Sequence, residues 1–240
     1  MIHVPKQAMI LAAGLGKRMR PLTDTIPKPL IEVHGSALID RAIAQLELAG
    51  VEKIIVNTSY KADLLEAHLQ KYTSPQIILS YEEEPLETGG GIAKALHHFN
   101  DMPFFCINGD VIWIDHQSPA LKSLAQKWNN DLDAVLLLHP TQTAIGYEGK
   151  GDFNVADNGD LIRRESNEKA PYIYTGIQML HPRLFQGCPA GAFSLNLLYD
   201  KAINAFPTKI KAIVHDGVLL NVGDPTGVKL AEEYIKKHTL

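Results

Sequence analysis

The sequence predicts an α/β fold, with a Rossmann-like, mostly parallel sheet and helices on both of its faces. Apolar runs typical of buried strands alternate with segments that carry apolar residues at helical spacing. This alternation is what parallel strands joined by crossover helices require. A chain of 240 residues, 45% of them hydrophobic, is also long enough to bury one large core without disulfides.

The first half of the chain, up to about residue 140, alternates strands with helices. Strands are predicted at 8–13, 53–57, 76–80, 104–108 and 134–139. Helices are predicted at 40–49, 62–70, 89–96 and 119–129, and Gly50 is expected to end the first of them. Because ligands of parallel sheets lie at the carboxyl ends of the strands, we expect the functional site at that edge.

The pattern changes after Gly146, where glycines punctuate short alternating runs at Asp152–Val155 and Leu161–Ile162. Such alternation predicts an antiparallel pair, in a lobe of about 141–190 inserted into a single domain of residues 1–240. Further strands are predicted at 172–177, 210–214 and 217–222. A helix capped by Ser194 and a last helix over 225–238 are predicted to follow the lobe.

Composition excludes several classes of function. The net charge of −4 argues against a nucleic-acid partner, and no apolar run is long enough to span a bilayer. The two cysteines, Cys106 and Cys188, have no metal-ligand spacing and predict no disulfide. With no signal peptide in the first residues, we expect a cytoplasmic protein without a membrane partner, either a monomer or a small homo-oligomer.

The most informative stretch is Leu11–Pro21, in which a buried strand leads into two glycines and a cluster of cations. Glycine lets the backbone bring its N–H groups close to an anion. Lys17, Arg18, Arg20 and Lys28 add full positive charges, and the arginine fork suits phosphate oxygens. These features predict a polyphosphate site.

Two common phosphate loops do not fit this stretch. Gly14 and Gly16 are one residue apart, and Met19 stands where a P-loop needs a hydroxyl. The dinucleotide fingerprint needs a third glycine at position 19, and Pro21 would interrupt its helix. A solvated basic turn is the remaining structural alternative.

The run Leu11-Ala-Ala-Gly-Leu-Gly-Lys-Arg-Met-Arg-Pro-Leu-Thr, followed by Pro27-Lys-Pro-Leu30, resembles the signature of sugar-1-phosphate nucleotidylyltransferases. The resemblance covers nearly the whole chain. It is strongest to the muramate-type uridylyltransferases, above all in Leu86-Glu-Thr-Gly-Gly-Gly91, and mannose-1-phosphate guanylyltransferases come next. It implies the nucleotide-diphospho-sugar transferase fold, with the nucleotide-binding half at about 1–140 and the sugar-binding lobe after it.

The resemblance also implies roles for individual residues. Ala13, Gly14 and Gly16 with Arg18 would hold the phosphates, Lys28 would contact the α-phosphate, and Asp110 in Asn108-Gly-Asp110 would bind Mg²⁺. Asn221 would be a second metal ligand, where many relatives have aspartate. The base would contact Glu82, Thr88 and Gly89. The sugar would contact Asn108, Gly151, Asp152, Glu165 and Thr175, with Lys169 as a possible substitute for a lysine that many relatives carry directly after the glutamate.

The implied reaction joins a nucleoside triphosphate, with UTP preferred, to a sugar 1-phosphate, most closely N-acetylmuramate 1-phosphate. Mannose 1-phosphate with GTP is an alternative that uses the same machinery. A regulatory subunit that binds nucleotide sugars without turnover is a third, because Asn221 and Ser166 lack charges that relatives carry.

Overall fold

The computed structural model describes residues 4–238, and within that range the chain forms a nine-stranded sheet with six α-helices and two small two-stranded sheets. The strands are β1 Gln7–Leu11, β2 Glu32–Val33, β3 Ser36–Ala37, β4 Lys53–Thr58, β5 Gln76–Tyr81, β6 Phe104–Asn108, β7 Val111–Ile114, β8 Ala134–Pro140, β9 Phe153–Val155, β10 Leu161–Arg163, β11 Tyr172–Leu180, β12 Ile210–Val214 and β13 Val218–Asn221. The helices are α1 Leu38–Leu48, α2 Ala62–Leu69, α3 Glu87–Ala95, α4 Ala120–Lys127, α5 Asn196–Ile203 and α6 Pro225–Lys237.

The large sheet is mostly parallel in its first half, as predicted. Its main path runs β10-β9-β11-β6-β1-β4-β5, while β8 pairs with β11 and β12 pairs with β8. Strands β1, β4, β5 and β6 are parallel, whereas β11 is antiparallel to β6 and β8. The carboxyl ends of the four parallel strands therefore meet at one edge of the sheet.

Apolar periodicity accounts for the packing of helices on the sheet. In α1 the buried residues recur on one face and contact the fully buried middle of β1 within one hydrophobic cluster. The residues of α1 that face the core are Leu38, Ile39, Ala42, Ile43 and Leu46. Gly50 follows this helix with φ +82°, a conformation that suits glycine at a helix end.

Three predicted helix starts differ from the structure. Helix α1 begins at Leu38 rather than at residue 40, because it follows directly on the hairpin of β2 and β3. Helix α3 begins at Glu87, two residues before the glycines. Helix α5 begins at Asn196, so Ser194 lies outside it, although the Ser194 hydroxyl still accepts a hydrogen bond from the Asn196 N–H at 3.3 Å.

The antiparallel pair predicted after Gly146 is confirmed, since β9 and β10 pair from Phe153 to Arg163. The pair is continuous with the main sheet, because Phe153 is opposite Tyr172 of β11. The turn that follows is held by Arg164, whose guanidinium donates to the carbonyls of Glu165, Ser166 and Glu168. The lobe is therefore an extension of the large sheet.

Within residues 4–238, no helix is both long and apolar enough to cross a membrane. Cys106 and Cys188 are free thiols, and Cys106 is buried in β6.

Two buried histidines lie side by side where β8 and β12 end. The rings of His139 and His215 are 5.6 Å apart, His139 Nε2 contacts the Thr143 hydroxyl at 3.1 Å, and His215 Nε2 contacts the Asp115 carboxylate at 3.2 Å. Burial, followed by the neighbouring His215, lowers the pKa of His139 from 6.5 to about 4. The folded protein therefore keeps His139 neutral at pH values where an unfolded chain would protonate it.

We expect this histidine to make the fold less stable as the pH falls from 6.5 towards 4. In that window the unfolded chain binds more protons than the native one, so the free energy of unfolding decreases with decreasing pH. Thermal unfolding of the native chain and of His139→Gln should be compared at about pH 7 and about pH 5. Between these pH values the melting temperature of the native chain should fall by more than that of the variant. Equal decreases would contradict a lowered pKa of His139.

Candidate active site

Two adjoining cavities lie at the carboxyl edge of the parallel strands, and Asn108 and Asp110 line both of them. The front cavity, of about 220 Å³, is lined by residues 11–14 and by Lys28, Asn57, Glu82, Glu87 and Thr88, among others. The side cavity, of about 150 Å³, is lined by Arg18, Tyr174, Thr175, Asn221 and Gly223, among others. Asp110 thus stands on the boundary between two spaces that could hold two reactants.

The loop after β1 provides backbone for the front cavity. Ala13 and Gly14 line it, as predicted for residues that approach a ligand. Gly16 has φ +60°, and a Cβ there would lie 2.8 Å from the Thr23 side chain, so its glycine is required by the turn. The Thr23 hydroxyl donates to the Gly16 carbonyl at 2.9 Å, which fixes the loop.

A short ion pair joins two of the charged residues that line the front cavity. Lys28 Nζ donates to Asp110 Oδ2 at 2.6 Å, although the residues are 82 positions apart. Lys28 is 9% exposed, so its charge lies at the wall of the cavity rather than in bulk solvent. The ion pair therefore ties Lys28 to the residue that lines both cavities.

Glu82 is buried at the end of β5 and lines the front cavity, where the resemblance places a base contact. Its Oε1 accepts from the Asn57 amide at 2.7 Å, and its Oε2 accepts from the Leu86 N–H at 2.8 Å. Asn57 in turn accepts from the Ala12 N–H at 2.7 Å. One buried hydrogen-bond chain therefore connects the ends of β1, β4 and β5.

Gly89, in the first turn of α3, packs against Phe193, and its contact with a base stays a prediction. The Gly89 N–H donates to the Phe193 carbonyl, and a Cβ at this position would lie 2.3 Å from the Phe193 ring. Gly89 is therefore a glycine because Phe193 packs on it, and Glu87 and Thr88 line the cavity instead. Glu87 has φ +58°, which is uncommon for a residue with a side chain.

Thr88, predicted to contact the base, lines the front cavity and also stabilises the packing of two segments. Its hydroxyl accepts from the Leu195 N–H at 2.9 Å. This bond joins the beginning of α3 to the segment that precedes α5.

The side cavity combines one cation with polar groups of β6, β11 and β13. Arg18 lines it, and the guanidinium lies close to Gly223. The buried Thr175 hydroxyl donates to the Leu137 carbonyl at 2.8 Å, so its side chain is hydrogen-bonded within the sheet.

Gly176 makes room for the Asn108 amide, since a Cβ there would lie 2.5 Å from Asn108 Nδ2. Burial raises the pKa of Tyr174 well above its usual value, which keeps this phenol neutral.

Asn221 and Asp110 are the predicted metal ligands, and they line the same cavity. Asn221 pairs with Val111, the residue after Asp110, in the β7–β13 ladder. The Asn221 Nδ2 donates to the Gly146 carbonyl at 2.8 Å. A carbonyl only accepts, so the amide nitrogen is fixed towards Gly146 and Oδ1 remains as an oxygen ligand for a hard cation.

No group of three or more His, Cys, Asp or Glu side chains able to hold a metal ion occurs among residues 4–238. Two oxygen ligands from the protein fit Mg²⁺, which keeps waters and takes the rest of its ligands from substrate phosphates. The residues present therefore fit a metal that binds together with a polyphosphate.

Asn221→Asp is expected to lower the Mg²⁺ concentration needed for half-maximal rate and to lower stability at the same time. The added negative charge strengthens cation binding, whereas the carboxylate cannot donate to the Gly146 carbonyl, which costs about 1 kcal/mol. Magnesium titration of the rate and thermal unfolding measure the two effects separately. A variant with unchanged magnesium dependence would show that Asn221 is not a ligand.

Three predicted sugar contacts lie away from both cavity walls. Gly151 has φ +74° and packs on the Ala170 carbonyl, and the Asp152 carboxylate accepts from the Tyr174 N–H at 2.9 Å. Glu165 and Lys169 are exposed in the turn held by Arg164. In this structure Gly151 and Asp152 shape the lobe, and their contact with a sugar stays a prediction, as it does for Glu165 and Lys169.

Asn57, Glu87 and Gly176 contribute to the site although the sequence analysis did not select them. Asn57 could have been found as a polar residue near the carboxyl end of an apolar strand, the edge at which the sequence predicts the functional site. Gly176 gave no such signal, since its role depends on Asn108, which is distant in sequence.

Comparison with known proteins agrees with this geometry. The sequence profile described as nucleotidyl transferase matches residues 7–154. The chain is 40% identical over 239 residues to an N-acetylmuramate alpha-1-phosphate uridylyltransferase of Caulobacter vibrioides, covering 97% of this chain and 98% of the relative. A protein of the same name from Neisseria meningitidis is 33% identical, covering 94% of this chain and 96% of the relative.

Among solved structures, HddC from Yersinia pseudotuberculosis complexed with GMP-PN is similar, with a TM-score of 0.76 and 25% identity. The match covers 95% of this chain and 99% of HddC. Because the profile spans more than half of the chain and the relatives match along nearly their whole length, this chain belongs to the nucleotidyl transferase family.

Proposed function

We propose that this protein transfers a nucleotidyl group from a nucleoside triphosphate to a sugar 1-phosphate and releases pyrophosphate, with UTP and N-acetylmuramate 1-phosphate as the substrates. The observation that carries this proposal is the position of Asp110 on the boundary between two adjoining cavities, with Lys28 of the front cavity bound to it. The names of the two relatives, which match over nearly the whole chain, support the choice of base and sugar.

The proposed chemistry is an in-line displacement at phosphorus. An oxygen of the sugar 1-phosphate attacks the α-phosphorus, the bond to the β-phosphate bridging oxygen breaks, and that oxygen leaves with its electron pair as pyrophosphate. The nucleophile is already an anion at neutral pH, so no general base is required. The protein has to align two polyanions and offset the negative charge that develops between them.

The cations of the site suit this task. Lys28 reaches the boundary between the cavities, where it can leave Asp110 and contact the transferring phosphate. Arg18, on the wall of the side cavity, and the backbone of Gly14 are placed to bind phosphate oxygens. When bound, Mg²⁺ would supply further neutralisation of phosphate charge, and Asp110 and Asn221 would hold it.

A guanylyl transferase, with mannose 1-phosphate as the acceptor, is the second candidate, and Glu82 is the observation that favours it. An ionised carboxylate only accepts hydrogen bonds. Uracil offers it a single N–H, flanked by two carbonyl oxygens, whereas guanine offers a ring N–H and an adjacent amino group. Glu82 can thus accept two hydrogen bonds from guanine but one from uracil, and a direct comparison of triphosphates tests this candidate against the first.

The test is pyrophosphate release with magnesium, across UTP, GTP, CTP and ATP, each paired with the 1-phosphates of N-acetylmuramate, mannose, glucose and N-acetylglucosamine. We expect pyrophosphate release with UTP and N-acetylmuramate 1-phosphate, and none in reactions without a sugar 1-phosphate. Release with GTP and mannose 1-phosphate would favour the second candidate. A protein that binds triphosphates but releases pyrophosphate with none of these substrate pairs would instead be a regulatory subunit.

A further inference from the structure

We infer that Asn57 is a positioning residue for base recognition, because its amide holds the Glu82 carboxylate in the orientation that faces the front cavity. The inference rests on the proposed function, in which Glu82 contacts the base. Asn57 lies at the carboxyl end of β4 and is 3% exposed, and Glu82 follows β5 and is 1% exposed. Both line the front cavity.

The orientation of the Asn57 amide is fixed by its two neighbours. The Ala12 N–H donates to Asn57 Oδ1 at 2.7 Å, and Asn57 Nδ2 donates to Glu82 Oε1 at 2.7 Å. A backbone N–H can only donate and a carboxylate can only accept, so the two ends of the amide cannot be exchanged. Aspartate at this position would keep the first bond and lose the second, and leucine would lose both.

The carboxylate is confined from its other sides as well. Glu82 Oε2 accepts from the Leu86 N–H at 2.8 Å. A Cβ at position 91 would lie 2.6 Å from Glu82 Oε1 and 2.8 Å from Asn57 Nδ2, so Gly91 is what allows α3 to pack on this pair. Two hydrogen bonds and the packing of a helix thus fix one rotamer and leave the remaining acceptor positions for a donor in the cavity.

We therefore expect Asn57 to affect recognition of the base and not binding of the phosphates. Without the amide, the buried carboxylate would rotate or take up a proton, since an unpaired buried charge is unfavourable. The base contact would be lost, whereas Lys28, which faces the phosphates in the proposed function, is held by Asp110 and not by the Asn57 amide. Loss of Asn57 should therefore weaken discrimination between bases more than it weakens triphosphate binding as such.

The discriminating variant is Asn57→Asp, measured by equilibrium binding of UTP and GTP to the full chain without sugar phosphate. Near pH 8, two carboxylates would face each other, and we expect the affinity for the nucleotide that the native chain prefers to fall about tenfold and the discrimination between UTP and GTP to shrink. Near pH 5.5, one proton shared by the pair restores a donor to Glu82, so most of the affinity should return.

Controls separate this effect from other titrations. The native chain at each pH accounts for the nucleotide phosphates and for Lys28, Glu87 and Asp110, the other charged groups that line the cavity. Asn57→Leu cannot regain a donor and should stay weak at both pH values. Ser80→Ala, at the residue of β5 that pairs with Asn57, should behave like the native chain. Circular dichroism and thermal unfolding confirm that each variant is folded.

Asn57→Asp that binds UTP and GTP as the native chain does at both pH values would overturn the inference. Equal recovery of Asn57→Leu at low pH would overturn it as well. Because the assay measures binding, native protein that binds UTP but releases no pyrophosphate would refute the proposed function and leave the Asn57 result to be judged on its own. Native protein that binds neither nucleotide would refute both.

Discussion

Asp110→Asn is expected to reduce nucleotidyl transfer about a thousandfold while leaving the fold intact. The substitution keeps the size of the side chain but removes the negative charge on the boundary between the two cavities. It weakens the proposed metal site and also leaves Lys28 without its counter-ion. Pyrophosphate release under saturating substrates measures the loss, and thermal unfolding checks the fold.

Asp24→Asn is the matched control for this variant. It removes the same charge from the neighbouring loop, where Asp24 is more than half exposed and pairs with Arg20 outside both cavities. We expect a rate close to that of the native chain. Turnover of the Asp110 variant at the control's level would show that Asp110 is not a metal ligand.

Lys28→Met is expected to lower the rate about a hundredfold, with a much smaller effect on the binding of the triphosphate. Methionine preserves most of the buried stem and removes the charge that we place on the transferring phosphate. Interactions made mainly in the transition state lower kcat rather than KM. Steady-state kinetics for the triphosphate, together with equilibrium binding, measure the two contributions.

Lys17→Met is the control, because it removes an exposed cation from the same loop. Lys17 does not line either cavity, and its variant should change the rate little. A loss in triphosphate affinity as large as the loss in rate for Lys28→Met would contradict a role in the transition state.

Much of the fold was predictable because its strands are continuous apolar runs. The segments around Ile54–Val56 and Phe104–Ile107 read as strands for the same reason that they are buried on both faces of a parallel sheet. The start of α1 was not predictable, because Leu38 and Ile39 belong equally well to a hairpin or to a helix until the core beneath them is known.

The candidate site was predictable where chemistry is concentrated in the sequence and not where it depends on distant packing. The glycine-cation loop and Asn108-Gly-Asp110 pointed to the two parts of the sequence that form the boundary between the cavities. Gly89 was assigned to the ligand, but its neighbour is Phe193, more than a hundred residues away. Local spacing cannot reveal such a partner, and it cannot distinguish a glycine needed by a ligand from one needed by a ring.

The short contact between Lys28 and Asp110 has a consequence for the order of events at the site. Lys28 already occupies the carboxylate that a divalent cation would need, and like charges repel at that distance. A bound triphosphate would offer the ammonium group another anion and so free Asp110, and a cation on Asp110 would in turn favour the contact of the ammonium group with phosphate. In the proposed function, nucleotide and metal would therefore be thermodynamically linked, each increasing the affinity for the other, with Lys28 as the group that both of them displace from Asp110.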